Sequence, residues 1–255
     1  MLAAWPVAAA PRVFSLDQCA DQYVLALSPR EAIVGLSARA DDADSRLREQ
    51  ARGLPLRRAT LESVLAARPD VVVRHWGGDE KLLSALRRRG IAVVEAPEAT
   101  SFDDVRLTLR EIGAALGQSA RAEVLVREMD DRLARAGGAW GGARALYLTP
   151  GGATAGKGTL IGAMMEAAGL TPAASRPGYS TVSLEALVMR PPAAVVLGFF
   201  DAFMLVNANW GPGRHQVLRR TVKDRTIASL PGEVIGCPGW FLAEAAETLA
   251  ARAPK

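Results

Sequence analysis

The chain has 255 residues, of which 49% are hydrophobic and 23% charged, and its formal net charge is +4. This length fits one large or two ordinary domains, and the composition is ordinary for a globular protein. The arginine clusters 57–58 and 87–89 lack interleaved aromatic residues and any recognised motif, which argues against a nucleic-acid partner. No apolar run reaches the length that crosses a bilayer, and two cysteines do not make a disulfide framework.

Residues 1–11 have the composition of the end of a secretory signal peptide. The stretch is apolar, and Ala8, Ala9 and Ala10 suit a small-residue cleavage site, although a charged n-region and most of an apolar core are absent. We therefore predict an exported, periplasmic protein, with a disordered tail on a cytoplasmic protein as the alternative. The absence of a lipobox cysteine near this stretch favours a form without a lipid anchor.

The next hundred residues alternate β-branched runs with amphipathic segments. The predicted strands are residues 12–16, 33–36, 71–73 and 91–94. Two helices are predicted to begin after Asp17 and after Thr60, and two more are predicted at 79–89 and 103–116. Alternation of this kind predicts a parallel sheet with helices on both faces.

The second half repeats this alternation after one long helix. Residues 119–136 place Leu125, Met129 and Leu133 on one face and end at Gly137–Gly138. The predicted elements that follow are a strand at 144–148, a helix at 159–168, a helix near 216–220, a strand at 234–236 and a helix at 241–252. We predict an N-terminal lobe at 12–118, a linker helix at 119–138 and a C-terminal lobe at 139–255.

One stretch occurs twice, at an offset of 123 residues and without a gap. Residues 61–73 read as a short helix, a proline break and a buried strand, and residues 184–196 read the same way. Each strand ends in glycine and aromatic residues, and ligands of open parallel sheets sit at the ends of the strands. The repeat predicts two similar α/β lobes that hold something at their strand ends.

The order and spacing of several segments resemble one family. The segments are residues 12–16, 61–62, 68–73, 76–78, 90–93, 155–158, 183–185 and 239–241. The chain resembles periplasmic substrate-binding proteins of the helical-linker type, which serve ABC importers of cobalamin, ferric siderophores and haem. Its pattern is nearest to the cobalamin-binding members.

The resemblance implies two Rossmann-like α/β lobes with parallel sheets, joined by one long helix around a shallow interlobe cleft. It implies a monomer that captures a metal chelate and delivers it to an ABC permease, with no enzymatic activity and no cofactor. Glu62 and Glu185 stand at the family's permease-docking positions. A purely structural explanation is open for both, because the helix dipole stabilises a carboxylate in any first helical turn.

The resemblance also implies a set of ligand-binding residues, comprising rings that could sandwich an apolar face and charged groups that could pair with anions. They are Cys19, Arg39, Arg57, Arg58, His75, Trp76, Tyr179, Phe199, Phe200, Asp201, Trp210, Trp240 and Phe241. Leu56 and Ala153 stand where the cobalamin-binding members have aromatic residues, and Gly239 and Ala243 stand where they have Asp and Arg. The expected ligand is therefore a bulky metal chelate of a wider class.

Two alternatives concern metal. Cys19, His75, His215 and Cys237 could ligate a bare transition metal, or one of them could coordinate the metal of a bound macrocycle, although no known motif has their spacing. A chelatase-type enzyme with the same two-lobe architecture is the alternative function. A Cys19–Cys237 disulfide is the least favoured pairing, since it would tie the lobes together and oppose closure.

Overall fold

The computed structural model describes residues 10–174, 176–199 and 216–254. The chain divides into two compact units, one of Met1–Pro97 with Thr108–Glu123 and one of Glu98–Leu107 with Val124–Lys255. The predicted division at 12–118, 119–138 and 139–255 stays a prediction. Within the described residues no helix is both long and apolar enough to cross a membrane.

The first unit contains a five-stranded parallel sheet. Its strands are β1 (Val13–Ser15), β2 (Ile33–Ser37), β3 (Leu56–Arg57), β4 (Val71–Arg74) and β5 (Ala92–Glu95), in the order β3-β2-β1-β4-β5. Its helices are α1 (Gln18–Leu27), α2 (Arg48–Ala51), α3 (Leu61–Ala67) and α4 (Glu80–Arg87), with a 3₁₀ turn at Arg30–Ala32. The helices α5 (Phe102–Ala115) and α6 (Ser119–Ala136) follow. The predicted alternation of strand and helix is thereby confirmed.

The core of this unit lies between the sheet and the pair α3 and α4. Phe14 and Val72 are fully buried on neighbouring strands and belong to one cluster with Val64 of α3 and Leu83 and Leu86 of α4. The spacing of the leucines on α4 directs them to one side, which is why an otherwise charged helix packs on the sheet. Parallel strands with apolar side chains on both faces need this cover.

The second unit contains a four-stranded parallel sheet and a separate two-stranded antiparallel ribbon. The strands are β6 (Arg144–Leu148), β7 (Ala153–Ala155), β8 (Thr171–Pro172), β9 (Tyr179–Thr181), β10 (Ala194–Gly198) and β11 (Thr226–Leu230). The sheet order is β11-β10-β6-β8, and β7 pairs with β9 in the ribbon. The helices are α7 (Leu160–Ala167), α8 (Leu184–Met189), α9 (Gln216–Lys223), α10 (Gly232–Ile235) and α11 (Leu242–Ala250).

The prediction of a strand at 234–236 is wrong. This stretch overlaps α10, which follows Pro231, and the strand of the region is β11, which ends before that proline at Leu230. Val234 and Ile235 favour a strand locally, but β11 already provides the hydrogen bonds that the edge of β10 accepts and donates. Cys237 therefore follows a helix and not a strand.

The repeat is confirmed as structure. Each copy is a capped helix, α3 after Thr60 and α8 after Ser183, followed by a central strand, β4 or β10. In each unit, an arginine at or just before the start of the first strand donates a hydrogen bond to a carbonyl at the end of the repeated helix. Arg12 donates to the Ala67 carbonyl at 2.7 Å, and Arg144 donates to the Arg190 carbonyl at 3.0 Å, which are equivalent positions of the repeat.

The residue that caps the C-terminal end of α3 has a strained backbone conformation. Arg68 caps the helix with φ of 48° and ψ of 58°, the left-handed conformation that glycine adopts at lower cost. We expect Arg68→Gly to raise the free energy of unfolding by about 1 kcal/mol. The substitution relieves the strain, while the carbonyls of residues 67 and 68 still accept hydrogen bonds from Arg12. Chemical denaturation measures the change. Arg68→Ala is the matched control, since it removes the side chain but keeps the strain, and an equal gain in that variant would contradict the explanation.

Candidate functional site

Most predicted ligand-binding residues of the first unit meet at one edge of its sheet. All five strands are parallel, so the residues that follow them lie at the same, carboxyl edge. Arg39 follows β2, Arg58 follows β3, and His75 and Trp76 follow β4. Cys19 lies in the first turn of α1, two residues beyond the loop that leaves β1. The structure thus brings together side chains that the sequence spreads over 58 positions.

A buried aspartate organises this edge. The Asp17 side chain is 1% exposed and its carboxylate accepts five backbone N–H groups. Its Oδ1 atom accepts from Cys19 at 3.1 Å and Ala20 at 3.0 Å, which caps α1. Its Oδ2 atom accepts from His75 at 2.7 Å, Trp76 at 3.2 Å and Gly77 at 2.9 Å. One carboxylate therefore fixes the loop after β4 to the start of α1, and the sequence predicts only the capping half of this role.

The fixed loop presents Trp76 to solvent. The side chain is 55% exposed, an unusual state for a tryptophan on a backbone held by three hydrogen bonds. Gly77 is needed behind it, because a Cβ atom there would lie 2.6 Å from the Leu16 carbonyl oxygen. The arrangement offers a rigid, flat apolar surface, which costs little conformational entropy when a ligand covers it.

The ring of His75 has a defined orientation. Its Nδ1 atom lies 2.5 Å from the carbonyl oxygen of Ala96. A carbonyl oxygen only accepts, so Nδ1 is the donor in this contact. Histidines that ligate metals have this second contact as a rule. The sequence proposes His75 as a ligand but gives no information on its tautomer.

The three arginines at or near this edge differ in their engagement. The Arg39 guanidinium forms ion pairs with Asp42 at 2.8 Å and Asp44 at 3.2 Å, and the hydrogen bond that it donates to Asp42 raises its pKa. Arg57 donates to the Val34 carbonyl at 3.2 Å and is half-buried. Arg58 is exposed. Of the three, Arg58 has the side chain with the greatest freedom to meet an anionic group, and Arg39 already meets two.

A second buried carboxylate lies behind the edge. The Asp21 side chain is 0% exposed and accepts from the Ser37 amide at 2.9 Å and from its hydroxyl at 2.5 Å. Burial raises the pKa of Asp21 to about 6, and the hydrogen bonds from Ser37 oppose this shift. The contact joins α1 to the end of β2, next to Arg39. The sequence gives no signal for this role of Asp21, since an acidic residue in a first helical turn is ordinary.

In the second unit the predicted residues lie in three places. Phe199 follows β10 with φ of 63°, a backbone conformation uncommon for an aromatic residue, and Trp240 and Phe241 form an edge-to-face ring pair at 5.3 Å. A Cβ atom on Gly236 would lie 3.8 Å from the Phe199 ring, so Phe199 borders the loop that leads to Trp240. Tyr179 is 60% exposed on β9, and burial of its hydroxyl raises its pKa.

The cysteines differ from expectation. Cys19 and Cys237 are both disulfide-bonded, and the described residues contain no free thiol. Neither sulfur is therefore a thiolate that could ligate a metal. Among the described residues there is also no group of three or more His, Cys, Asp or Glu side chains placed to hold a metal ion.

The two predicted docking glutamates occupy equivalent places. Glu62 is exposed in the first turn of α3, and Glu185 is exposed in the first turn of α8. Four further predicted residues, Phe200, Asp201, Trp210 and His215, lie outside the described residues.

A family model described as periplasmic binding protein matches residues 13–199 of this chain. Among curated proteins, the cobalamin-binding proteins of two Halobacterium salinarum strains are 31% identical over 198 residues, which cover 73% of this chain and 53% of theirs. The chain thus spans about half the length of the curated relatives that it matches.

Solved structures share the fold at lower identity. The periplasmic heme-binding protein RhuT from Roseiflexus sp. RS-1 superposes with a TM-score of 0.70 at 21% identity, covering 96% of this chain and 100% of that one. The periplasmic vitamin B12 binding protein BtuF of Vibrio cholerae superposes with a TM-score of 0.67 at 19% identity, covering 95% and 96%. These likenesses establish the fold.

The Asp17 network gives a first prediction for this site. We expect Asp17→Asn to lower the free energy of unfolding by about 2–4 kcal/mol, because an amide N–H₂ group would replace an oxygen that buried N–H groups donate to. Denaturation measures the loss, and hydrogen exchange should show faster opening of the amides of residues 75–77. The variant Asp42→Asn, an acid at the same edge but solvent-accessible, should change both values little. Unchanged exchange at 75–77 in Asp17→Asn would contradict the assigned role.

Asp21 gives a pH prediction. Its folded-state pKa, about 6, lies above the ordinary value of 3.8, so the penalty of burying the charge is present above pH 6 and is lost as the pH falls. We expect the wild-type free energy of unfolding, relative to that of Asp21→Asn, to rise by about 1 kcal/mol between pH 7 and pH 5. Denaturation of both proteins at the two pH values tests this, and a constant difference, or one of opposite sign, would refute it.

Proposed function

The chain belongs to the periplasmic binding protein family, and we propose that it is the solute-binding component of an ABC importer for a metal chelate. The ligand class is a corrinoid, a haem or a ferric siderophore. The protein binds this ligand at the carboxyl edges of its sheets, leaves it chemically unchanged, and delivers it to a membrane permease. Its place of action is the periplasm.

The observation that carries the proposal is the exposed Trp76 on a loop held by Asp17. A protein gains nothing in stability from exposing a large ring on a rigid loop, so a ligand that covers the ring is the natural explanation. A flat macrocycle or a bulky chelate presents an apolar face of matching size, and Trp76 is positioned for it before the ligand arrives.

The neighbours of Trp76 support a ligand with both a metal and anionic groups. His75, the adjacent residue, donates from Nδ1 to the Ala96 carbonyl, the kind of second contact that metal-ligating histidines commonly make. Arg58 at the same edge could pair with a carboxylate or phosphate of the ligand. The cobalamin-binding relatives and the heme-binding and vitamin B12-binding structures have names that fit this class.

In the second unit Phe199, Tyr179 and Trp240 offer further rings. The strained backbone of Phe199 supports a functional role, since such conformations persist where the surroundings impose them and are common at ligand sites. Delivery would use Glu62 and Glu185, which project from equivalent helices of the repeat and could pair with basic residues of a permease.

Titration with cobalamin, haem and a ferric hydroxamate tests the proposal. We expect one of these to bind with a one-to-one stoichiometry and a change in its visible spectrum, and Trp76→Ala to raise the dissociation constant about tenfold through loss of ring contact. Leu107→Ala, which truncates another apolar side chain that is 57% exposed, should leave it unchanged.

The same titration separates a binding protein from the chelatase alternative. A binding protein releases the chelate intact, with the metal still bound, whereas a chelatase inserts or removes the metal. Failure of all three chelates to bind, or turnover of any of them, would refute the proposed function.

A further inference from the structure

We propose that a cationic groove beside Glu62 forms part of the docking surface of the first unit and receives carboxylates from the external face of the permease. This inference rests on the proposed function, and it adds to the docking glutamate three residues that bind a partner: Lys81, Arg88 and Arg89. The partner segment would present a basic residue to Glu62 and acidic residues to the three cations.

The groove lies between the first turn of α3 and the length of α4. It has a volume of about 750 Å³, and both helices contribute to its lining. Thr60 and Glu62 line it from α3, and Lys81, Leu82, Arg88 and Arg89 line it from α4 and the turn that follows. The docking glutamate therefore stands on the rim of a concavity and not on a flat surface, which allows a partner side chain or loop to enter beside it.

The three cations are exposed to solvent and available to a partner. All three are exposed, and the ion pairs formed within the described parts of the chain include none of them. Arg87, on the same helix but outside the groove, differs: it pairs with Glu80 at 3.3 Å and lies 3.7 Å from Glu95. Arg89 donates to the Ala85 carbonyl at 2.9 Å, which restricts its side chain without neutralising its charge.

Helix electrostatics do not explain this arrangement. Arg88 and Arg89 lie at the C-terminal end of α4, where the helix dipole favours cations. Lys81 lies in the first turn of the same helix, where the dipole disfavours a cation, yet it lines the same groove. What the three share is the groove, so an anionic partner that enters the groove accounts for them together.

The lining also indicates what kind of partner fits. Glu62 and the helix-capping Asp79 stand among the cations, so the groove carries both signs of charge. A lipid surface of phosphates would be repelled by these two carboxylates. A protein segment can place charges of both signs opposite complementary ones, which fixes its orientation and steers its approach. The permease of the proposed function is that protein.

The second copy of the repeat presents different side chains next to its glutamate on the helix itself. On α8 the residues three and four positions after Glu185 are Val188 and Met189, which are 62% and 75% exposed. These side chains share a face with Glu185. The second docking helix thus presents apolar side chains on the face that carries its acid, and we expect contacts at the cationic groove of the first to depend strongly on salt.

The experiment measures binding of the full chain to the importer complex of transmembrane and ATPase subunits in phosphatidylcholine nanodiscs. The variant Lys81→Gln/Arg88→Gln/Arg89→Gln should bind about tenfold more weakly at low salt, with a shallower salt dependence. The control Arg52→Gln/Arg127→Gln/Arg252→Gln removes equal charge from exposed positions outside the groove and should bind like wild type. Unchanged thermal melting confirms that both variants are folded.

The outcomes separate this inference from the function on which it rests. If Glu62→Gln weakens binding and the groove variant does not, the groove is not a docking surface, while the proposed function stands. If the wild type binds no importer complex, the proposed function fails with it. Loss of binding to phosphatidylglycerol vesicles in the groove variant, with unchanged binding to the nanodiscs, would assign the cations to lipid and overturn the proposal.

Discussion

The first unit depends on one buried carboxylate. Asp17 accepts five backbone N–H groups, two from the start of α1 and three from the loop after β4. Burying a charge is costly unless such bonds offset the cost, and here each bond also fixes the position of a chain segment. The exposed Trp76 and the oriented His75 both belong to the segment that Asp17 holds. The candidate site therefore gets its rigidity from a residue that need not touch the ligand.

The duplicated architecture explains how two units can share a plan and differ in use. In both units an arginine at the start of a strand bonds to the end of the repeated helix, so the helix, the proline break and the strand keep one geometry. The exposed face of that helix is free to vary, because it does not pack on the sheet. Glu62 is accompanied by a cationic groove, whereas Glu185 is accompanied by Val188 and Met189. A common scaffold thus presents two chemically different surfaces.

The fold could be predicted from the sequence where the local residue pattern and the packing of the whole domain favour the same element. The helix at 119–136 and the strands at 71–73 and 144–148 have strong periodicity or β-branched runs, and the structure has elements there. The region from 226 to 237 shows where they disagree. Thr226–Leu230 forms the edge strand although its pattern is weak, and Val234 and Ile235 are helical although they favour strands. Pairing with β10 decides this, and pairing is a property of the sheet.

The sequence by itself determined the α/β class, the repeat, the positions of Glu62 and Glu185 in first helical turns, and the placement of His75 and Trp76 after a strand. These follow from composition and periodicity, which act over a few residues. Only the tertiary structure decided that Asp17 meets residues 75–77, that Asp21 is buried against Ser37, that Nδ1 of His75 faces Ala96, and that α3 and α4 enclose a groove. Each of these contacts joins residues at least 15 positions apart, and chain folding, not local propensity, sets such distances.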